Sequence, residues 1–285
     1  MQFSFNEKLS PIEALAFTRR LERFMSLLAF DLVRTERTAF TISVTEKSGE
    51  TSDIVCPVEF AKDVSATKTN IDFHKLPLRL NNLDFGSAFD QFLEMFDALE
   101  QTLNWYRTVI AEDRYLEDKF FYCVRMIEAL YKAIPIPTRP DEEAASKISS
   151  IMTKLSTEKD NDALVAFLKE RVAPIFGKRW SLPEIVRDLK SRYSDVATIN
   201  FLDARTINKL RAKQAHGSTQ RLSAAELRYM SYSYRLLSML YCLIILEHCG
   251  LDRERMLDGL KSRSRFERYF SSDTLSELNK ACAIS

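Results

Sequence analysis

The sequence predicts a mainly α fold, with a helical bundle at the C-terminal side and a small α+β region at the N-terminal side. Three observations carry this. Glycine and proline are scarce, at 6 and 8 among 285 residues, which disfavours a fold built from many tight turns. Apolar residues recur at spacings of three and four over much of the chain after residue 87, the period of a helix with one buried face. Capping boxes, a serine followed three residues later by glutamate, stand at Ser10–Glu13, Ser181–Glu184 and Ser223–Glu226, each before an apolar run.

Taken in order, Ser10-Pro11-Ile12-Glu13 joins a cap, a first-turn proline and the box glutamate, and it opens a helix expected over about 11–30. The period then changes. FTISV (40–44) and DIVCPVEF (53–60) are rich in β-formers and flank the polar segment EKSGETS, so they read as a hairpin or two strands of a small sheet. Residues 61–85 are mixed. Phe89, Phe92, Leu93, Phe96, Leu99 and Leu103 mark a long helix, and Phe120, Phe121, Val124, Ile127, Leu130 and Tyr131 mark a second over about 114–133. The prolines of IPIPTRP (134–140) stop it. The second and third capping boxes predict helices near 183–193 and 224–248. Two domains are expected: 1–86, a small α+β region, and 87–285, a helical domain.

Composition excludes several classes. The 41 basic and 40 acidic residues nearly cancel, so a nucleic-acid surface has to be a local patch. Five scattered cysteines, none in CxxC spacing, argue against a zinc site or a disulfide framework and for reduced thiols. The first residues are polar and acidic where a secretory apolar stretch would sit. The most apolar run, LLSMLYCLIIL (236–246), is short for a membrane span and reads as a core helix. A cytoplasmic protein with no membrane partner, no metal and no cofactor is expected.

The candidate chemistry lies in "INKLRAKQAHGS" (207–218). Between 204 and 221 stand Arg205, Lys209, Arg211, Lys213 and Arg221, with no acidic residue among them. Guanidinium and ammonium groups so grouped suit phosphate, and His216 is the side chain there that exchanges protons near neutrality. Residues five apart on a helix differ by about 140°, so Arg211 and His216 would not share one face in mid-helix. They converge more easily if His216 lies in the last turn, with Gly217 as left-handed cap, or they meet a substrate where two copies of the motif face each other across a dimer. The plainer reading is that basic residues and histidine complement a helix C-terminus. Two other features have similar pairs of readings. KSRSRFERYF (261–270) is an RNA-stacking segment or an amphipathic final helix with its rings in the core. His248 beside Cys249 is half of a metal pair or a helix-end histidine.

Arg211-Ala212-Lys213-Gln214-Ala215-His216 resembles the signature of the HEPN superfamily, an arginine and a histidine separated by four to six residues. The sequence departs at Ala212, where Asn, Asp or His is usual. KFFYCVRMIEALYKA (119–133) and the run from Ser223 to Asp252 look like the Apea-like HEPN branch. Residues 39–110 look like the end of the N-terminal domain often fused to it, in a shortened form. The resemblance implies a homodimeric, metal-independent endoribonuclease of anti-phage or toxin–antitoxin type. Arg211 and His216 would be catalytic, with Glu128, Lys213 and Gln214 supporting them and Arg205, Lys209 and Arg221 binding RNA. An antitoxin or a phage-derived activator is an implied partner. The alternatives are a non-catalytic HEPN module that binds RNA or a nucleotide, or acts as a regulatory, antitoxin-like partner, and a helical scaffold whose basic segment meets an acidic protein.

Overall fold

A computed structural model describes residues 10–30, 37–45, 51–59, 85–110, 114–134, 150–156, 162–167, 180–215 and 222–282. The fold is mainly α. Helix α1 (Pro11–Ala29) starts at the predicted box: the Ser10 N–H donates to Glu13 Oε2 at 2.7 Å and the Glu13 N–H donates to Ser10 Oγ at 3.3 Å. Strands β1 (Arg37–Thr45) and β2 (Thr51–Glu59) pair antiparallel, from Arg37 opposite Glu59 to Thr45 opposite Thr51. Helices α2 (Phe85–Ile110) and α3 (Leu116–Ala133) follow, then a helical stretch over 150–156, the short α4 (Asp162–Phe167), and α5 (Leu182–Arg192). A 3-10 turn (Ala197–Phe201) leads to α6 (Ala204–Ala215), α7 (Ala224–His248), α8 (Arg253–Lys261), α9 (Ser264–Glu267) and α10 (Ser272–Ala281).

The chain divides into two compact units. The first takes Met1–Tyr115 with Arg235–Arg268, the second Leu116–Tyr234 with Tyr269–Ser285, so α7 contributes residues to both. In the first unit Phe24 is fully buried among Phe85, Phe89 and Phe92, with ring centroids 5.1–5.4 Å away. Such aromatic clusters bury large areas in edge-on and tilted geometries. Lower in the same core Tyr106 stacks on Tyr241 at 5.3 Å, and the Tyr241 hydroxyl donates to Thr102 Oγ1 at 2.9 Å. This satisfies a phenol that would otherwise be buried unpaired.

Helix α7 is the one helix among the described residues that is long and apolar enough, by length and composition, to cross a membrane; 78% of its most apolar window is buried inside the fold. The run 236–246, short when read alone, lies in the C-terminal half of this 25-residue helix. A helix apolar on all sides belongs in a core. It ends in a Schellman motif: Gly250, at φ +80°, donates to Glu247 O, and Leu251 donates to Leu246 O.

In the second unit α3 buries Phe120, Cys123, Val124, Ile127 and Leu130, and α5 buries Ile185, Val186 and Leu189. The Tyr131 hydroxyl of α3 donates to Asp188 Oδ2 of α5 at 2.7 Å, and its ring meets Trp180 edge-on at 5.2 Å. The segment 261–270 is not one final helix. It is broken between α8 and α9, and α10 follows it. Its rings Phe266 and Tyr269 are buried.

Candidate functional site

The site is built on α6. Asp203 caps the helix, its Oδ2 accepting from the Thr206 N–H and hydroxyl at 2.7 Å each. Burial opposes the charge on Asp203, but the bonds from Thr206, the Arg205 N–H and the charge of Lys190 together hold the carboxyl below its ordinary pKa. The Tyr229 hydroxyl accepts from the Asp203 N–H at 2.9 Å and donates to its carbonyl at 3.3 Å, anchoring the helix start to α7. Burial pushes the Tyr229 phenol up to about 12, so it stays neutral in that role.

Ile207 and Leu210 form the buried stripe of α6 and set its rotation. Arg205, Lys209 and Ala212 are exposed. Arg211 and Lys213 are two residues apart, about 160° around the helix, so they leave on different flanks of the stripe. Each meets a carboxylate. Arg211 Nη1 donates to Glu128 Oε1 of α3 at 2.8 Å, the two side chains being 24% and 25% exposed. Lys213 Nζ donates to Glu226 Oε1 in the first turn of α7 at 2.6 Å. The basic run that is free of acidic residues in sequence is therefore not free of them in space.

Glu226 is the most enclosed of these groups. Its side chain is 6% exposed, and it is the one buried carboxylate among the described residues. Its second oxygen accepts from the Ser223 N–H at 2.9 Å, and its own N–H donates to Ser223 Oγ at 3.2 Å, completing the predicted box. The Lys213 ammonium first, and the Ser223 N–H second, hold its carboxyl below the usual glutamate value. These contacts stabilise the charged form against its desolvation.

Of the residues singled out from sequence, Arg211 and Glu128 come together, and Lys213 meets Glu226, which sequence reasoning had assigned only to a helix cap. Gln214 lies in the last turn of α6, but its side chain, together with His216, Gly217 and Arg221, lies outside the described residues. A ring nitrogen of His248 is 2.8 Å from the Ile244 carbonyl, one turn back in the same helix. Cys249 is 1% exposed and its thiol is pushed up to about 12 by burial. That environment suits a packed thiol and not a thiolate ligand. Among the described residues no group of three or more histidine, cysteine, aspartate or glutamate side chains is arranged to hold a metal ion.

Comparison with protein-family models, with curated proteins and with solved structures returns no match for this chain.

Proposed function

We propose that this protein is a metal-independent endoribonuclease of the HEPN type, acting as a homodimer in the cytoplasm in anti-phage defence or a toxin–antitoxin pair. The observation that carries the proposal is the half-buried Arg211 guanidinium. Glu128 engages it through Nη1, five residues before His216 in the chain. A guanidinium has five donors in a fixed fork, so a bond made through Nη1 leaves other donors for a phosphate. Such a preset donor stabilises charge that develops in a transition state without reorganising when it forms.

RNA supplies its own nucleophile. His216 takes the 2′-hydroxyl proton, the 2′-oxygen bonds to phosphorus, and the bond from phosphorus to the 5′-oxygen breaks. That oxygen leaves with a proton from an acid, the histidine of the second copy in a dimer. The products are a 2′,3′-cyclic phosphate and a 5′-hydroxyl. Arg211 neutralises the phosphorane, and Arg205, Lys209 and Arg221 attract the backbone.

The test is incubation of mixed RNA with purified protein in excess EDTA, with product ends identified by mass spectrometry. Wild type is expected to leave cyclic phosphate ends, and His216→Ala and Arg211→Ala to leave RNA intact while unfolding at the wild-type temperature within a few degrees. Equal RNA survival with wild type and His216→Ala refutes catalysis. A second reading, a non-catalytic module that binds RNA or a nucleotide or regulates a partner, is favoured by Ala212, exposed on α6 where the resemblance calls for a polar side chain. That protein would retard intact RNA on a gel, with affinity falling steeply as salt rises.

A further inference from the structure

We infer that Glu226 is a positioning residue of the candidate site: its carboxylate clasps Lys213 at the end of α6 and the N-cap of α7, and Lys213 serves this clasp and not the RNA. The inference deepens the ribonuclease proposal and rests on it for its link to catalysis. Three side chains make the clasp. Lys213 Nζ lies 2.6 Å from Oε1, and the Ser223 N–H lies 2.9 Å from Oε2. The box is closed from the other side by the bond from the Glu226 N–H to Ser223 Oγ.

The burial of Glu226 is the telling feature. A capping-box glutamate needs only to reach the N-cap N–H and does so well in water, as Glu13 and Glu184 do in exposed bonds. Glu226 does the same with its side chain 6% exposed, at a cost in desolvation that a surface glutamate avoids. A buried ion pair adds little net stability over apolar packing; its best-attested use is to fix register. Here the register is between the last turn of α6 and the first turn of α7. In sequence, the connection between those turns carries His216. Lys213 and Glu226 are 13 residues apart, so the pair ties the last turn of one helix to the first turn of the next.

If Lys213 were a phosphate ligand held in reserve by Glu226, neutralising Glu226 would release it and strengthen RNA binding. The clasp requires the opposite: both substitutions harm the same step, and neither changes the number of phosphate contacts. Misplacement of a reacting group by about 1 Å costs on the order of 100-fold in rate.

The experiment compares wild type, Glu226→Gln, Lys213→Met and the double variant in single-turnover RNA cleavage and in RNA binding against salt. Glu226→Gln keeps the shape of the cap, and a thermal melt identifies any variant that fails to fold. Each single variant is expected to lower the cleavage rate constant by roughly 10- to 100-fold, with RNA affinity within about twofold of wild type. The double variant is expected to be no slower than the worse single, as for members of one unit. The slope of log affinity on log salt should be unchanged, whereas loss of a single-strand phosphate contact lowers it by about 0.7. Three results overturn the inference: multiplicative rate effects, a slope reduced by Lys213→Met, or tighter RNA binding by Glu226→Gln. If wild type cuts no RNA, the ribonuclease reading fails by itself. Hydrogen exchange then decides the clasp. Both variants must raise exchange at the end of α6 and at the start of α7, and loosening of one end alone overturns it.

Discussion

Cutting the Arg211–Glu128 bond without altering its shape tests whether the candidate site is preset. Glu128→Gln keeps the length of the side chain and removes its charge; Arg211→Met keeps the aliphatic stem and removes the guanidinium. The bond is 2.8 Å long, and about a quarter of each side chain is exposed. At an effective dielectric near 20, two unit charges 4 Å apart attract by about 4 kcal/mol. Lost hydration and ordering of the side chains offset most of that. Fully exposed pairs retain roughly 0.2–1 kcal/mol, and hydrogen bonds to charged groups contribute roughly 1.5–3 kcal/mol. With one quarter of each group exposed, the coupling should fall between these, at about 1–2 kcal/mol. The assay is a double-mutant cycle in urea on a Trp105→Phe background. The signal then comes from Trp180, which belongs to the same unit as the pair and lies 5.2 Å from Tyr131. A coupling below about 0.5 kcal/mol, the scatter of independent sites, refutes the claim that Glu128 holds Arg211.

Gly250→Ala places a side chain at φ +80°, with a Cβ 3.2 Å from the flexible end of Gln91. The backbone term dominates, about 1–2 kcal/mol, and calorimetry should show a melting temperature lowered by a few degrees; an unchanged one refutes the cap assignment. Glu226 has a folded pKa below its unfolded value. Its contribution is therefore fully present above about pH 4.3 and fades as the pH falls through the folded pKa. Urea unfolding of wild type and Glu226→Gln should show a stability gap at pH 7 that narrows below pH 4, and a constant gap contradicts the assignment. Cys249, its thiol pushed up to about 12 by burial, should resist N-ethylmaleimide in the native protein and react after unfolding, as read by peptide mass mapping.

Local signals were legible in the sequence, and spatial pairings were not. The helix starts at Pro11, Leu182 and Ala224 follow from capping boxes, which need only four consecutive residues. The long helices α2 and α3 follow from stripes that repeat within each turn. The break near Ser262 escaped the same reading because KSRSRFERYF keeps an amphipathic spacing across α8, α9 and the turns around them. At the site, the basic run was visible, and Glu128 was named beside it only through the family resemblance; which carboxylate meets which cation was not legible. Glu128 lies 83 residues before Arg211, and no local period relates them. Glu226 was visible as a cap, yet nothing in its neighbours marks it as buried, because that burial comes from the packing of its unit.

The pairings also separate two roles that a linear charge count merges. Beyond a few ångströms, Arg211 with Glu128 and Lys213 with Glu226 act as dipoles, and at physiological salt the screening length is about 8 Å. Long-range attraction of a polyanion then falls to exposed cations such as Arg205, one turn from exposed Lys209 on the same face, while Arg211 acts at contact. Under the ribonuclease proposal, Arg205→Ala should weaken RNA binding and lower the salt slope by about 0.7, with the rate of bound RNA cleavage preserved. Arg211→Ala should spare most of the affinity and abolish cleavage. Single-turnover kinetics at saturating protein, paired with binding at several salt concentrations, separates the two. If Arg211→Ala and Arg205→Ala lose affinity equally and cleave bound RNA at equal rates, Arg211 is an ordinary phosphate contact and its bond to Glu128 has no catalytic purpose.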